Sequence, residues 1–174
     1  MNKPDTRNVI DRYKGLPMEA IVADLDKRGV ALEIAIDNVA HDFNMGTIVR
    51  SANAFGVRHI HIIGRRQWNK RGAMMTDKYL RVHYYVEVNE FLDAVKDKTL
   101  IAVDNVEGSM PLHQAVLPQD AVLIFGAEGP GIRPELLAVA DQIVAIEQFG
   151  STRSLNVGVA AGIAMYEWVR RQAL

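Results

Sequence analysis

Apolar positions along the chain recur first at helical and then at strand spacing. Met18 to Arg28 carries Ile21, Val22 and Leu25 on one side and stops at Gly29, which predicts a short helix close to the N-terminus. Ala31 to Asp37 is β-branched and partly alternating, so it predicts a strand, and Asn38 to Phe43 a polar connection. Helical spacing returns over Asn44 to Gly56, with Ile48, Ala52 and Phe55 on one stripe, Asn44 placed as N-cap and Gly56 as the stop. Arg50 falls roughly opposite that stripe, beside Thr47. Arg58 to Gly64 reads as a second strand, and strand, helix and strand at this length make a parallel crossover unit.

The pattern continues with a helical turn at Met74 to Leu80, a strand at Val82 to Val86, a helix at Phe91 to Val95 and a strand at Thr99 to Val103. Pro111 to Val116 predicts another short helix. Ala121 to Phe125 is a continuous apolar run, as in a strand buried on both faces. Pro134 to Val139, with proline in its first turn, predicts a helix; Asp141 to Ile146 the last strand; Leu155 to Arg171 the last helix. The fold class is therefore α/β, a mainly parallel sheet flanked by helices. Ligands of such sheets sit beyond the carboxyl ends of the strands, which singles out the loops after Asp37, Val103, Phe125 and Ile146.

At 174 residues and 49% hydrophobic composition the chain suffices for one domain with a sizeable core. It has no apolar run of the roughly 20 residues a membrane span needs, and Met1 to Leu16 is polar rather than signal-like. The absence of cysteine removes disulfides, thiolate nucleophiles and cysteine-based zinc sites, and the five histidines lack metal-ligand spacing. These features fit a cytoplasmic protein without a resident metal. Net charge is −1, yet Arg65, Arg66, Lys70, Arg71, Lys78 and Arg81 gather in one stretch opposed only by Asp77. That segregation suits one face of the molecule to a polyanion, with Trp68 and Tyr79 available to stack a base.

Three stretches could carry chemistry. Gly126-Ala127-Glu128-Gly129-Pro130-Gly131 follows the buried strand, where a glycine-rich turn lets backbone approach a ligand. It lacks the glycine order of a dinucleotide fingerprint and the Gly-Lys-Ser/Thr of a phosphate loop. Ser154-Leu155-Asn156-Val157 leads a polar loop into a helix rich in Gly and Ala, in which Ser154 reads as N-cap. Asn44-x-Gly46-x-x-x-Arg50 opens the first crossover helix. Taken singly, each residue has an ordinary account: Asn44 and Ser154 cap helices, and Glu128 and Asn156 satisfy backbone groups or solvent.

Together, in this order and at these intervals, the three stretches resemble the signature motifs of the SpoU/TrmH family of the SPOUT superfamily, RNA 2′-O-ribose methyltransferases. The resemblance runs from about Leu32 to Trp168. It implies a short N-terminal helical extension over residues 1–31 and a SPOUT-type methyltransferase domain over 32–174, with a C-terminal trefoil knot. It also implies S-adenosylmethionine as methyl donor, a homodimer with its site near the interface, and tRNA or rRNA as substrate. Gly126, Ile146 and Leu155 then match the cofactor-binding positions, and Asn44, Arg50, Glu128, Ser154 and Asn156 the polar catalytic set. Arg65, Arg66, Lys70, Arg71, Lys78 and Arg81 are the expected RNA-binding residues. One departure is Glu147, where the family often has proline. A base methyltransferase of the same superfamily and a catalytically idle RNA-binding module are the alternatives.

Overall fold

The computed structural model describes residues 5–38 and 44–174, so the connection expected before Asn44 lies largely outside the described residues. Seven strands form one parallel sheet: β1 Glu33–Asn38, β2 His59–Gly64, β3 Arg81–Tyr85, β4 Thr99–Val103, β5 Met110–Pro111, β6 Ala121–Phe125 and β7 Gln142–Ala145, in the spatial order β3-β2-β1-β6-β4-β7-β5. The helices are α1 Met18–Arg28, α2 Asn44–Ala54, α3 Val88–Ala94, α4 Pro134–Val139 and α5 Val157–Gln172.

The central strands are apolar on both sides because helices cover both faces of the sheet. Along β6, Leu123 and Phe125 face α2 and α5, where Met45, Ile48, Ala52, Ala164, Met165 and Trp168 meet them. Val122 and Ile124 face the other way, into a core built with Phe91 of α3 and Leu136 of α4. Burial of each such side chain contributes about 1.5–3 kcal/mol, which makes β6 the anchor of both layers. The Trp168 indole N–H is not stranded by its burial, since it donates to the Pro118 carbonyl at 2.7 Å.

The N-terminal segment is tied to the body. Tyr13 and Ile21 bury against Tyr79, and Asp26 of α1 accepts from Arg58 at 2.9 Å and Arg81 at 2.5 Å. Two expectations need correction. The region begun by Pro111 forms the short edge strand β5 and then a 3-10 turn at Leu112–Gln114; proline lacks a ladder donor and so fits an edge. The last helix begins at Val157, and its cap is Asn156 rather than Ser154: the Asn156 Oδ1 accepts from the backbone N–H groups of Gly158 and Val159.

The connectivity around β7 matters for the site. After β4 the chain travels to β5 and returns to β6, and β7 then enters between β4 and β5. From there α5 crosses back onto α2, with Arg171 donating to carbonyls of Leu112, His113 and Ala115 in the β5–β6 connection.

Candidate active site

The carboxyl ends of β4, β6 and β7 converge on a cleft of about 170 Å³. The loops after these strands and the start of α5 supply its walls. Gly126, Ile146 and Leu155 all line it, as do Glu128 and Ser154. Glycine at 126 is a requirement of the crossing, since a Cβ there would stand 2.2 Å from the Gly131 carbonyl carbon. The turn is closed by reciprocal backbone hydrogen bonds between Ala127 and Gly131. At Gly131, with φ +74, an added Cβ would stand 2.7 Å from an Asp104 carboxylate oxygen.

A chain of side-chain hydrogen bonds joins this cleft to α2. The Asn44 Nδ2 donates to Glu128 Oε2 at 2.6 Å, and the Asn156 Nδ2 donates to Asn44 Oδ1 at 2.9 Å. Asn156 thereby has two jobs, because its own oxygen caps α5. Three residues that are 84 and 112 positions apart in sequence are held as one unit. The close approach of α5 to α2 permits this: Gly158 packs on Thr47, and a Cβ there would come within 3.1 Å of the threonine methyl.

Arg50 stands apart from that unit. It is exposed on the outer face of α2 and makes no ion pair or side-chain hydrogen bond among the described residues. Of the six basic residues expected to bind RNA, Arg65, Arg66, Arg71 and Lys78 are exposed without an ion pair among the described residues, whereas Lys70 pairs with Asp77 and Arg81 with Asp26. The aromatic residues of this stretch turn inward. Trp68 and Tyr79 are each 7% exposed, so the stretch presents cations rather than a stacking platform; the Arg66 guanidinium lies over the Tyr84 ring at 5.0 Å.

Sequence reasoning passed over Asp104, Asn105 and Gln148. Asp104 lines the cleft and accepts from the Ile132 N–H at 3.0 Å, and Asn105 ties the cleft to the Arg153 carbonyl at 2.9 Å. Their signal was positional, since they directly follow the carboxyl end of β4. Gln148 also lines the cleft, and its Oε1 is buried without a hydrogen-bond partner among the described residues. Glu147 is paired with His113. Its own backbone N–H and the imidazole hold its carboxyl below the usual range, so the pair fastens the loop after β7 to the turn after β5.

A parallel sheet with a cleft at its carboxyl edge, walled by a glycine-rich turn and a C-terminal helix, is an α/β domain of the class that binds ligands beyond the strand ends. The chain belongs to the SpoU rRNA Methylase family, whose model matches residues 31–166. It is 32% identical over 152 residues to the 23S rRNA (guanosine-2′-O-)-methyltransferase RlmB of Bordetella pertussis, covering 83% of this chain and 61% of that protein. The chain thus spans about three fifths of that relative's length. Among solved structures, the TrmH/SpoU tRNA modifying enzyme of A. aeolicus superposes with a TM-score of 0.77 at 27% identity, over 89% of this chain and 82% of that one. The AdoMet-bound rRNA methyltransferase of Sinorhizobium meliloti gives 0.74 at 25% identity, over 82% and 57%.

Proposed function

We propose that this protein transfers a methyl group from S-adenosylmethionine to a ribose 2′-hydroxyl of tRNA or rRNA. The observation that carries the reading is the Glu128–Asn44–Asn156 hydrogen-bond unit, which connects a cleft fitted to the cofactor with the helix that bears Arg50. Named relatives and solved neighbours of this family act on rRNA and tRNA, and one neighbour is named as AdoMet-bound.

The residues of the cleft fit S-adenosylmethionine on features of this chain. Gly126, Ile146 and Leu155 offer backbone and apolar surface for the adenosine part, and no bulky side chain can occupy the crossing at Gly126. Gln148 lines the cleft, and Asp104 places a carboxylate at the same wall. The bound cofactor supplies an already activated methyl group.

The protein's task is then to place and prepare the hydroxyl. Arg50, as a fixed cation on an exposed face, holds the adjacent phosphate and stabilises the alkoxide as it develops, while water takes the proton. Asn44 and Asn156, locked to each other and to Glu128, keep the edge of the cleft rigid so that the hydroxyl arrives in line. Ser154, at the cleft wall, orients the nucleotide. The exposed Arg65, Arg66, Arg71 and Lys78 hold the phosphate backbone, which sets position without reading sequence.

The same reading includes a homodimer and a threaded C-terminus. The stripe of Val159, Ile163 and Tyr166 on α5, each at least 41% exposed, supports a contact between copies. The entry of β7 between β4 and β5, after the chain has closed the excursion to β5, supports the knot.

Arg50→Lys tests the role given to arginine. A clamp by charge retains a substantial part of the turnover with an unchanged pH–rate profile. A profile that shifts toward the lysine's own titration would instead make this side chain the proton acceptor.

A further inference from the structure

The carboxyl end of β1 carries two consecutive polar residues in a place where burial disfavours them, Asp37 at 0% and Asn38 at 1% exposure. Successive side chains of a strand point to opposite faces, and these two hold different loops. The Asp37 carboxylate accepts from the Arg133 backbone N–H at 2.9 Å and from the Arg133 Nε at 2.8 Å. The Asn38 Nδ2 donates to the carbonyl of Arg65 and, at 3.2 Å, to that of Gln67, while the Asn38 carbonyl accepts from the Arg65 N–H at 3.1 Å. Gly64 stands opposite Asn38 in the ladder, and its φ of +93 turns the chain back to make these bonds.

Each of the two loops serves one reactant of the proposed transfer. Arg65 to Gln67 opens the basic stretch that holds RNA. Arg133 follows the glycine-rich turn that bears Glu128 and walls the cofactor cleft. Both neighbours of β6 hold that turn: the carboxylate of Asp104, after β4, takes the Ile132 N–H at 3.0 Å, and Asp37 of β1 takes the next one. Asp104 lines the cleft, whereas Asp37, Asn38 and Arg133 do not. Stability alone does not account for the arginine. A buried ion pair hardly repays its desolvation, and the Arg133 Nη2 is sealed without a hydrogen-bond partner among the described residues, which adds a cost. What the guanidinium and the two backbone bonds supply is a fixed geometry at one strand end.

We propose, on the reading of this protein as an RNA methyltransferase, that Arg133 and Asn38 are positioning residues for the transfer. Through the end of β1 they fix where the turn bearing Glu128 stands relative to the loop that holds RNA. The placement matters because an in-line displacement tolerates little error: a shift of about 1 Å costs about a hundredfold in rate.

Steady-state methyl transfer by the full chain, with thermal unfolding and S-adenosylmethionine affinity measured alongside, tests this. Arg133→Met frees the turn on the Asp37 side but leaves the Asp104 bond and the Ala127–Gly131 bridge. Its kcat is expected to fall roughly tenfold or more, with the KM for RNA and the cofactor affinity within about twofold of wild type. Arg133→Lys keeps a cation beside the buried Asp37 and loses kcat to a smaller degree; it decides the matter should the methionine variant fail to fold. Asn38→Leu removes the donor that holds the basic loop. Its KM for RNA is expected to rise roughly five- to tenfold, the cost of ordering one further residue on binding, with kcat within about twofold. A merely structural role has another signature, in which each variant loses kcat in proportion to its loss of folded protein and KM does not move. That result, or a wild-type kcat in a folded Arg133 variant, would overturn the assignment and leave the proposed function standing. A wild-type protein that methylates no RNA would refute the proposed function and the assignment together.

Discussion

Asn156 shows how one side chain can serve fold and site at once. Its oxygen caps α5 through Gly158 and Val159, and its nitrogen holds Asn44, which holds Glu128. These jobs separate by substitution. Asn156→Ala is expected to lose a cap, about 1 kcal/mol, or a fall in Tm of about 2–4 °C for a domain of this size, together with most methyl transfer. Asn156→Ser keeps a capping oxygen but has no amide nitrogen to give Asn44, so its Tm stays near wild type while turnover falls with the alanine variant. Thermal unfolding and turnover measured on both variants check this; a serine variant with full activity would mean that the link to Asn44 is dispensable. The sequence held half of this arrangement. Asn44, Glu128 and Asn156 were legible as polar residues at strand ends, but that they bond to one another was not, since the partners are 84 and 112 positions apart. Ser154 was misread as the cap because serine and asparagine are near-equal N-caps. Only the backbone decides which of two neighbouring candidates stands at the boundary.

At the scale of elements, periodicity located most strands and helices to within a residue or two, since each buries a face whose spacing shows in the chain. The two-residue β5 was too short to have a period, and Trp68 and Tyr79 were placed at the surface because a basic stretch looked solvated. The edge of the sheet carries a feature of its own. His59 of β2 and His83 of β3 meet side by side, with ring nitrogens 3.0 Å apart, beside His61, Tyr85, Glu33, Arg81 and Lys98. Burial pushes the titration of both His59 and His83 below the usual histidine value, with Glu33 opposing and the neighbouring cations and His61 adding to it. Burial also raises Glu33, but hydrogen bonds from His61 and Lys98 outweigh it and hold that carboxyl at about 2. The unfolded chain therefore takes up protons on these histidines before the folded one does. Their contribution is complete above the unfolded value near 6.5 and is lost as pH falls through the lowered folded values. The denaturation midpoint is expected to drop between pH 7.5 and pH 5.5, and to drop less in a His59→Gln, His83→Gln double variant. An equal drop in the variant would place the sensitivity elsewhere. Glu33 works further down: its contribution is complete above the unfolded value of 4.5 and is lost progressively as pH falls toward about 2.

For the whole molecule, the sheet order and the insertion of β7 between β4 and β5 had no signature in spacing; the family resemblance alone implied anything about them. The topology brings residues from both ends of the chain to one edge of the sheet, with α5 laid over α2. The outward stripe of α5, Val159, Ile163 and Tyr166, is apolar and exposed beside the cleft. Ile163→Asp is expected to convert the proposed dimer to monomer in sedimentation and to lower methyl transfer while the fold, followed by circular dichroism, persists. A variant that stays dimeric would move the interface to another face.

The most direct test of the central claim is transfer of labelled methyl from S-adenosylmethionine to unmodified tRNA and, separately, rRNA, followed by nucleoside analysis, with Arg50→Ala as control. A 2′-O-methylated nucleoside from one of the pools, absent with Arg50→Ala, is the expected result. Label recovered on a base instead of the ribose, or an Arg50→Ala protein as active as wild type, would contradict the account.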